Sequence, residues 1–217
     1  MRRVALLAAA LAAACSQEPG RPFPVGFLSP VSPLAAAEAV RLGFVVSQAA
    51  PAGSATEAAG VPGAFGGASE VMADRETLRF LAARAVAKGA HGVFFRLPAA
   101  PDGRDLVDYP EEWQALIRVV REMTAMQPLL ERGRLVAPPF AAAEGLAARA
   151  WIYRGRRYAL LVNVSGTDAA LESDALASWR VLYEVRSDAR ELLKPCGAMF
   201  CLPPHGVLWL EGRLRAS

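Results

Sequence analysis

The stretch DRETLRFLAARAVAKGAHGVFFRLP, residues 74–98, decides the fold of this chain. From Leu78 onward, its first half spaces apolar residues along one helical face and predicts a helix over 75–88. Gly89 is expected to end that helix, since glycine favours the backbone conformation found after a helix end. The apolar run that follows, residues 92–98, predicts a buried strand. A helix joined to a buried strand by so short a turn indicates an α/β layer.

The same pattern continues on both sides of this stretch. FPVGFL (23–28) predicts a buried strand, residues 33–42 a short Ala-rich helix, and FVVSQ (44–48) a second strand. Further on, Pro110 and the two glutamates after it predict the start of a long helix, because proline and carboxylates both suit a first helical turn. Residues 23–133 are therefore expected to form an α/β domain.

Composition changes between these predicted elements. The segment AAPAGSATEAAGVPGAFGGAS (49–69) is rich in Gly, Ala and Pro and lacks periodicity, so a long loop is expected. A loop of this length is unusual inside a compact domain. It indicates either a binding loop or a place where other elements have been lost.

From residue 134 onward the apolar period changes to two. WIYRGRRYALLVNVS (151–165) predicts a hairpin that turns near Gly155, and WRVLYEVRS (179–187) alternates clearly. MFCLPPHGVLWLEG (199–212) predicts two short strands joined by a Pro-rich turn. Residues 134–217 are therefore expected to form a small antiparallel β-sandwich, so that the fold is α/β followed by all-β.

The N-terminal stretch MRRVALLAAALAAAC, residues 1–15, has the layout of a secretory signal: two arginines, an apolar run and small residues at its end. A cysteine directly after small residues resembles a bacterial lipoprotein signal, although Ala12 stands where Leu is usual. This resemblance implies an exported protein at the cell envelope, held on the membrane by a lipid on Cys15, with residues 16–22 as a tether. The alternative is an ordinary cleaved signal with Cys15 nearby by chance.

The charge of the chain does not favour a nucleic-acid partner. The formal net charge is +3, and removal of Arg2 and Arg3 with a signal would leave +1. No cluster of basic residues with interleaved aromatics is present in the sequence.

The cysteines predict one disulfide. If Cys15 carries lipid, Cys196 and Cys201 remain as an even pair in an oxidising compartment. Two free buried thiols are the alternative. With only two histidines, neither suitably spaced, no metal site and no cofactor are expected.

Several segments resemble parts of one family. ETLRFLAARAVAKGAHGVFF and EEWQALIRVVREMTAMQPLLERG resemble the last part of a bacterial glycoside-hydrolase-type (β/α) barrel, and FPVGFLSPVSPLAAAEAVRLGF resembles a first barrel strand and helix. YALLVNVSG and LPPHGVLWLEG look like the β-sandwich appended to many of these enzymes. A full barrel takes about 250 residues, whereas about 110 are available here. The resemblance therefore implies a reduced or partial TIM-barrel-like layer.

The predicted strand ends lack the acids of a glycosidase. Such enzymes use two carboxylates about 5–5.5 Å or 6.5–9.5 Å apart, which a barrel places at the C-terminal ends of its strands. The residues at those ends are Leu28, Ser29, Ser47, Gln48 and Arg96. The catalytic candidates are therefore Glu70 and Asp102 in the loops, and a solvated loop is the alternative explanation for Asp102.

Two residues are candidates for ligand binding. Arg96 ends an apolar strand, where an arginine can bind a carboxylate or sugar hydroxyls, or can pair with Asp102 or Asp105. Trp151 is the one tryptophan for which stacking on a sugar is favoured over core packing. Both histidines, at positions 91 and 205, are expected to be structural.

Three functions are compatible with these patterns. The first is a non-catalytic or relict glycoside-hydrolase-like module that binds carbohydrate at the cell envelope. The second is an active glycosidase that uses loop carboxylates between residues 70 and 108, and the third is a structural envelope lipoprotein. The first predicts glycan binding without turnover, the second predicts turnover, and the third predicts neither.

Overall fold

The structure is a computed structural model that describes residues 22–28, 33–47, 75–96, 106–138, 145–172, 176–182, 194–196 and 199–213. Within these residues a parallel α/β layer is followed by antiparallel sheets. The fold class predicted from the sequence is thereby confirmed.

The α/β layer contains three parallel strands in the order β2-β1-β3. Its elements are β1 (Val25–Leu28), α1 (Pro33–Arg41), β2 (Val45–Ser47), α2 (Arg75–Ala87), β3 (Val93–Arg96), a 3-10 turn (Leu106–Asp108) and α3 (Pro110–Arg132). The central strand needs Gly26, which lies between Val45 and Phe94 in the sheet register. A Cβ atom on Gly26 would overlap the backbone carbonyl of Val45, so a side chain there would push β2 away.

Helix α3 closes one side of this layer. It begins at Pro110, carries two acidic residues in its first turn and ends at Arg132. The N–H of the following residue, Gly133, donates to the carbonyl of Leu129 at 2.7 Å. Its Trp113 side chain is buried and its ring lies 6.1 Å from that of Phe27 on β1. No helix in the described ranges is long and apolar enough to cross a membrane.

Two antiparallel sheets follow. Their strands are β4 (Arg134–Val136), β5 (Leu146–Tyr153), β6 (Arg156–Asn163), β7 (Ala169–Glu172), β8 (Trp179–Val181), β9 (Lys194–Cys196), β10 (Met199–Leu202) and β11 (Val207–Arg213). One sheet has the order β4-β5-β6-β11-β8 and the other β7-β10-β9. The predicted hairpin is β5–β6, and its two turn residues, Arg154 and Gly155, have φ angles of +48° and +71°. Positive φ at both positions is the geometry of a tight type I′ hairpin turn.

The five-stranded sheet contributes to an apolar core on each of its faces. On one face, Leu160 and Trp209 belong to the large core that also contains the apolar sides of α2 and α3. On the other face, Leu161 and Leu208 pack in a second core with Leu202 of the three-stranded sheet. The α/β layer and the β-sandwich therefore share one of the sheets as a common wall.

A buried ion group joins α2 to α3. Arg79 is only 4% exposed, and its guanidinium donates two hydrogen bonds of 2.6 Å to Glu122 and one of 2.5 Å to Glu76. Burial alone would lower the pKa of Arg79, but the hydrogen bonds and charges of the two carboxylates raise it above its ordinary value. Arg79 therefore stays charged inside an otherwise apolar helix interface.

Candidate functional site

The carboxyl ends of the parallel strands, where a barrel enzyme would place its catalytic acids, lie side by side. Leu28 is opposite Ser47 on one side and Arg96 on the other. Leu28 packs against Phe94 in a small buried cluster. The three described strand ends thus carry no carboxylate, as the sequence predicted. The backbone of Arg96 ends β3, but its side chain is outside the described part of the structure.

Three predicted site residues also lie outside the described residues. They are Cys15, the expected lipidation site, and Glu70 and Asp102, the loop carboxylates. The roles assigned to them stay predictions. Among the described residues, no group of three or more His, Cys, Asp or Glu side chains has an arrangement suited to a metal ion.

The expectation that Trp151 stacks on a sugar is wrong. Trp151 is 1% exposed and its ring lies 6.0 Å from that of Trp209, inside the large core. The guanidinium of Arg149 covers it at 5.8 Å. The cause is the strand register, which places Trp151 opposite Tyr158 on the sheet face that α2 and α3 cover. A ligand cannot reach this ring without unfolding that face.

His205 has the structural role expected of it. It lies in the turn between β10 and β11 with a φ angle of +60°. Its ring stacks on Phe80 of α2 with 4.3 Å between centroids. The turn is thereby attached to the helix that covers the sheet.

Cys196 and Cys201 are joined as a disulfide in the structure, with their Cα atoms 5.8 Å apart. The bond links β9 to β10, which are neighbours in the three-stranded sheet. It therefore holds the short strand β9 on the edge of the sandwich.

An open groove of about 560 Å³ runs along α1 beside the first turn of α3. Its wall combines exposed Leu34 with the ion pair between Glu38 and Arg41, whose hydrogen bonds are 2.5 and 2.6 Å long. The hydrogen bonds from Arg41 lower the pKa of Glu38 below its ordinary value. Among the described residues that line this groove, the one aromatic side chain is Trp113, which is itself 5% exposed. The groove thus offers polar groups but little aromatic surface.

Tyrosines and arginines gather at the turn end of the five-stranded sheet, on the face that carries Trp209. The strand register aligns them in two adjacent rows. We define the hairpin surface as Tyr153, Arg154, Arg156, Tyr158, Arg180, Glu211 and Arg213. Sequence reasoning missed this surface, because its residues come from four strands whose register the sequence does not give.

The two tyrosines form the apolar part of the hairpin surface. Their rings are half-buried against the edge of the core, with centroids 6.5 Å apart and planes tilted by 55°. Arg154 lies over the Tyr153 ring at 5.2 Å. Burial, followed by the charge of Glu211, raises the pKa of Tyr158 above its ordinary value, although Arg156 opposes this shift. Tyr158 therefore stays a neutral phenol at physiological pH.

The polar part of the hairpin surface is organised around one carboxylate. Glu211 is 10% exposed and receives hydrogen bonds from Arg156 and from Arg180, the latter at 3.1 Å. The two arginine side chains are 59% and 55% exposed. This surface therefore combines half-buried aromatic rings with accessible guanidinium donors.

Comparison with known proteins gives a likeness of fold only. No protein-family model matches the chain, and no curated protein matches it. Eubacterium rectale Amy13B is similar with a TM-score of 0.45 and 13% identity, over 70% of this chain and 37% of that one. A GH27 β-L-arabinopyranosidase from Geobacillus stearothermophilus, in complex with arabinose, gives 0.41 and 13%, over 82% and 39%.

A third solved structure, the α-fucosidase of Thermotoga maritima, gives a TM-score of 0.34 and 18% identity, over 68% of this chain and 36% of that one. The chain spans less than two fifths of the length of each of these three proteins. It therefore has a distant structural similarity to glycoside hydrolase barrel enzymes over part of its length.

Proposed function

We propose that this chain binds carbohydrate at the bacterial cell envelope without hydrolysing it, held there by a lipid on Cys15. The observation that carries the proposal is the hairpin surface, where two half-buried tyrosine rings lie beside exposed arginines on one sheet face. Aromatic rings with a few oriented polar groups are the usual lining of ligand sites. The lipid and the export rest on residues 1–15 of the sequence alone.

The absence of hydrolysis is argued from the strand ends. Leu28, Ser47 and Arg96 occupy the described ends where a barrel glycosidase needs its acid and its nucleophile. A lone general acid without a partner cannot stabilise an oxocarbenium-like transition state. Loss of general acid–base catalysis alone lowers a rate by about 10²–10⁴-fold.

A binding assay with matched variants tests this proposal. The full chain is subjected to affinity electrophoresis through gels that contain single polysaccharides. We expect retardation by at least one of them, and a loss of about tenfold in affinity for Tyr153→Ala, equivalent to about 1.4 kcal/mol. Leu34→Ala is the control, because it removes an exposed apolar side chain from the groove along α1. Equal losses in both variants, or a loss in Leu34→Ala alone, would contradict this placement of the site.

A turnover assay separates this proposal from an active enzyme. The same protein is screened against aryl glycosides and the same polysaccharides. We expect no release of product above the buffer rate. Turnover that disappears in Glu70→Gln or Asp102→Asn would show that the loop carboxylates are catalytic and would overturn the proposal. Neither binding nor turnover would leave a structural lipoprotein as the better description.

A further inference from the structure

We propose that the hairpin surface selects acidic polysaccharides, with uronic-acid carboxylates as the recognised groups. This inference rests on the proposed function and names the class of glycan. The surface holds four arginines, at positions 154, 156, 180 and 213, and one glutamate, so its net charge is +3. The formal net charge of the whole chain is also +3. The excess of positive charge among these neighbouring residues therefore equals that of the entire protein.

The arrangement of the arginines favours carboxylates as ligands. Glu211 lies recessed between Arg156 and Arg180 and fixes the direction of both guanidinium groups. An arginine has five N–H donors in a planar fork that matches a carboxylate. Because more than half of each of these two side chains is exposed, a ligand carboxylate can approach a guanidinium already oriented by Glu211. Preorganisation of this kind lowers the entropy lost on binding.

The strand register places a further positive charge, that of Arg213, in the adjacent row of the same sheet face. Arg213 is paired with Arg156, and Arg156 with Tyr153, across β11, β6 and β5. Neighbouring strands are about 4.8 Å apart, so the hairpin surface spans about 15 Å across its four strands. This length suits a chain of sugar rings with repeated acidic groups better than a single small anion.

The turn places one more positive charge on this surface. Arg154 has a φ angle of +48°, in a region that Asn and Gly adopt readily and that other residues adopt at a cost. The two-residue type I′ turn requires this positive φ. Here the guanidinium of Arg154 is held over the ring of Tyr153, beside the other charges. A positive charge thus stands at the tip of the hairpin, at a position where Gly or Asn would be less strained.

The same surface lacks the features of a membrane-binding patch. Binding to a lipid surface needs apolar side chains that enter the headgroup region. The exposed large apolar side chains among the described residues are Leu34, Val40, Val45, Val164 and Met199. None of these belongs to the hairpin surface, whose two aromatic rings are half-buried. A soluble acidic glycan therefore fits better than anionic lipid.

The test compares two polymers with the same sugar backbone, one with free carboxylates and one with uncharged methyl esters. Binding of the full chain is measured with polygalacturonate and with the same polymer after complete methyl esterification. We expect affinity for the acidic form to be at least about tenfold higher, and to fall as salt is added. The double variant Arg156→Gln, Arg213→Gln should lose at least about tenfold in affinity for polygalacturonate. The control Arg118→Gln, Arg121→Gln removes the same charge from exposed positions on α3 and should change affinity less than about twofold.

Each of the following outcomes would contradict the proposal that the hairpin surface selects acidic polysaccharides. Equal affinity for the acidic and esterified polymers would refute charge selection while leaving glycan binding intact, whereas binding to no polysaccharide would refute both proposals. Equal losses in the two double variants would indicate unspecific attraction. Tighter binding to phosphatidylglycerol vesicles or to single-stranded DNA would assign the surface to another partner. Should the double variant unfold, Arg213→Gln alone provides the same comparison, because Arg213 is exposed at the end of β11.

Discussion

Replacement of Arg79 by methionine should destabilise the protein by about 3 kcal/mol. Removing one partner of a buried ion pair costs about 3–5 kcal/mol, because the other charge stays buried without compensation. The lower end of that range applies here, because the Glu122 side chain is 17% exposed to solvent and the Glu76 side chain is 47% exposed. Water can therefore solvate part of the charge that Arg79 leaves behind.

The measurement is equilibrium unfolding in urea at neutral pH, followed by circular dichroism. In a thermal melt of a chain of 217 residues, the same loss of about 3 kcal/mol corresponds to a fall in melting temperature of about 6–12 °C. Arg118→Met is the control, because Arg118 is exposed on α3, and we expect its effect to stay within about 0.5 kcal/mol.

A second substitution tests the cause of the destabilisation. In the Arg79→Met background, Glu122→Leu should recover most of the lost stability, because a buried ion pair replaced by apolar side chains is often neutral or stabilising. The explanation would be refuted if Arg79→Met lowered the free energy of unfolding by less than about 1 kcal/mol, or if the double variant recovered none of the lost stability. Unpaired charge at the interface of α2 and α3 would then not be the main cause of the destabilisation.

Three further predictions follow from other parts of the molecule. Alkylation of the unreduced protein, followed by mass spectrometry, should leave Cys196 and Cys201 unmodified, and reduction should destabilise by about 2 kcal/mol or less because the closed loop is short; two alkylated thiols would contradict this. Cys15→Ser should move the protein from the membrane fraction to the soluble one, and a soluble protein with Cys15 intact would show that no lipid is attached. Glu211→Gln should lower the pKa of Tyr158 in a tyrosinate absorbance titration. Because the pKa of Tyr158 is higher in the folded than in the unfolded protein, Tyr158 stabilises the folded state at pH values below its unfolded pKa. This stabilisation is lost as the pH rises through the folded pKa.

Local patterns in the sequence were sufficient for the α/β layer. Helix α2 and strand β3 were predicted because apolar periodicity and a terminal glycine are short-range signals, and Gly89 has the expected positive φ of +99°. The β5–β6 hairpin was predicted for the same reason, from alternation and from Gly155. Strands β4, β7 and β9 were not predicted, because their short sequences, RLV, AALE and KPC, contain no aromatic residue and no clear alternation of apolar and polar residues.

The candidate site depended on contacts between distant parts of the chain. Alternation along β5 shows that Trp151 and Tyr153 share a face, but not that α2 and α3 cover the first and leave the second half-buried. Arg79 likewise interrupts the apolar side of α2, and its partner Glu122 is 43 residues away in sequence. The hairpin surface needs the register of four strands, which only tertiary packing determines.

The shared wall formed by the five-stranded sheet has a consequence for how the protein unfolds. Because Leu160 and Leu161 lie on opposite faces of β6 and belong to the two different cores, neither core can open without exposing the strand that supports the other. Calorimetry should therefore give one transition whose van't Hoff and calorimetric enthalpies agree, rather than two independent ones. A ligand bound only at the turn end of β6 would then raise the melting temperature of the whole molecule, the helices included. At saturating ligand this increase grows with the logarithm of the ligand concentration.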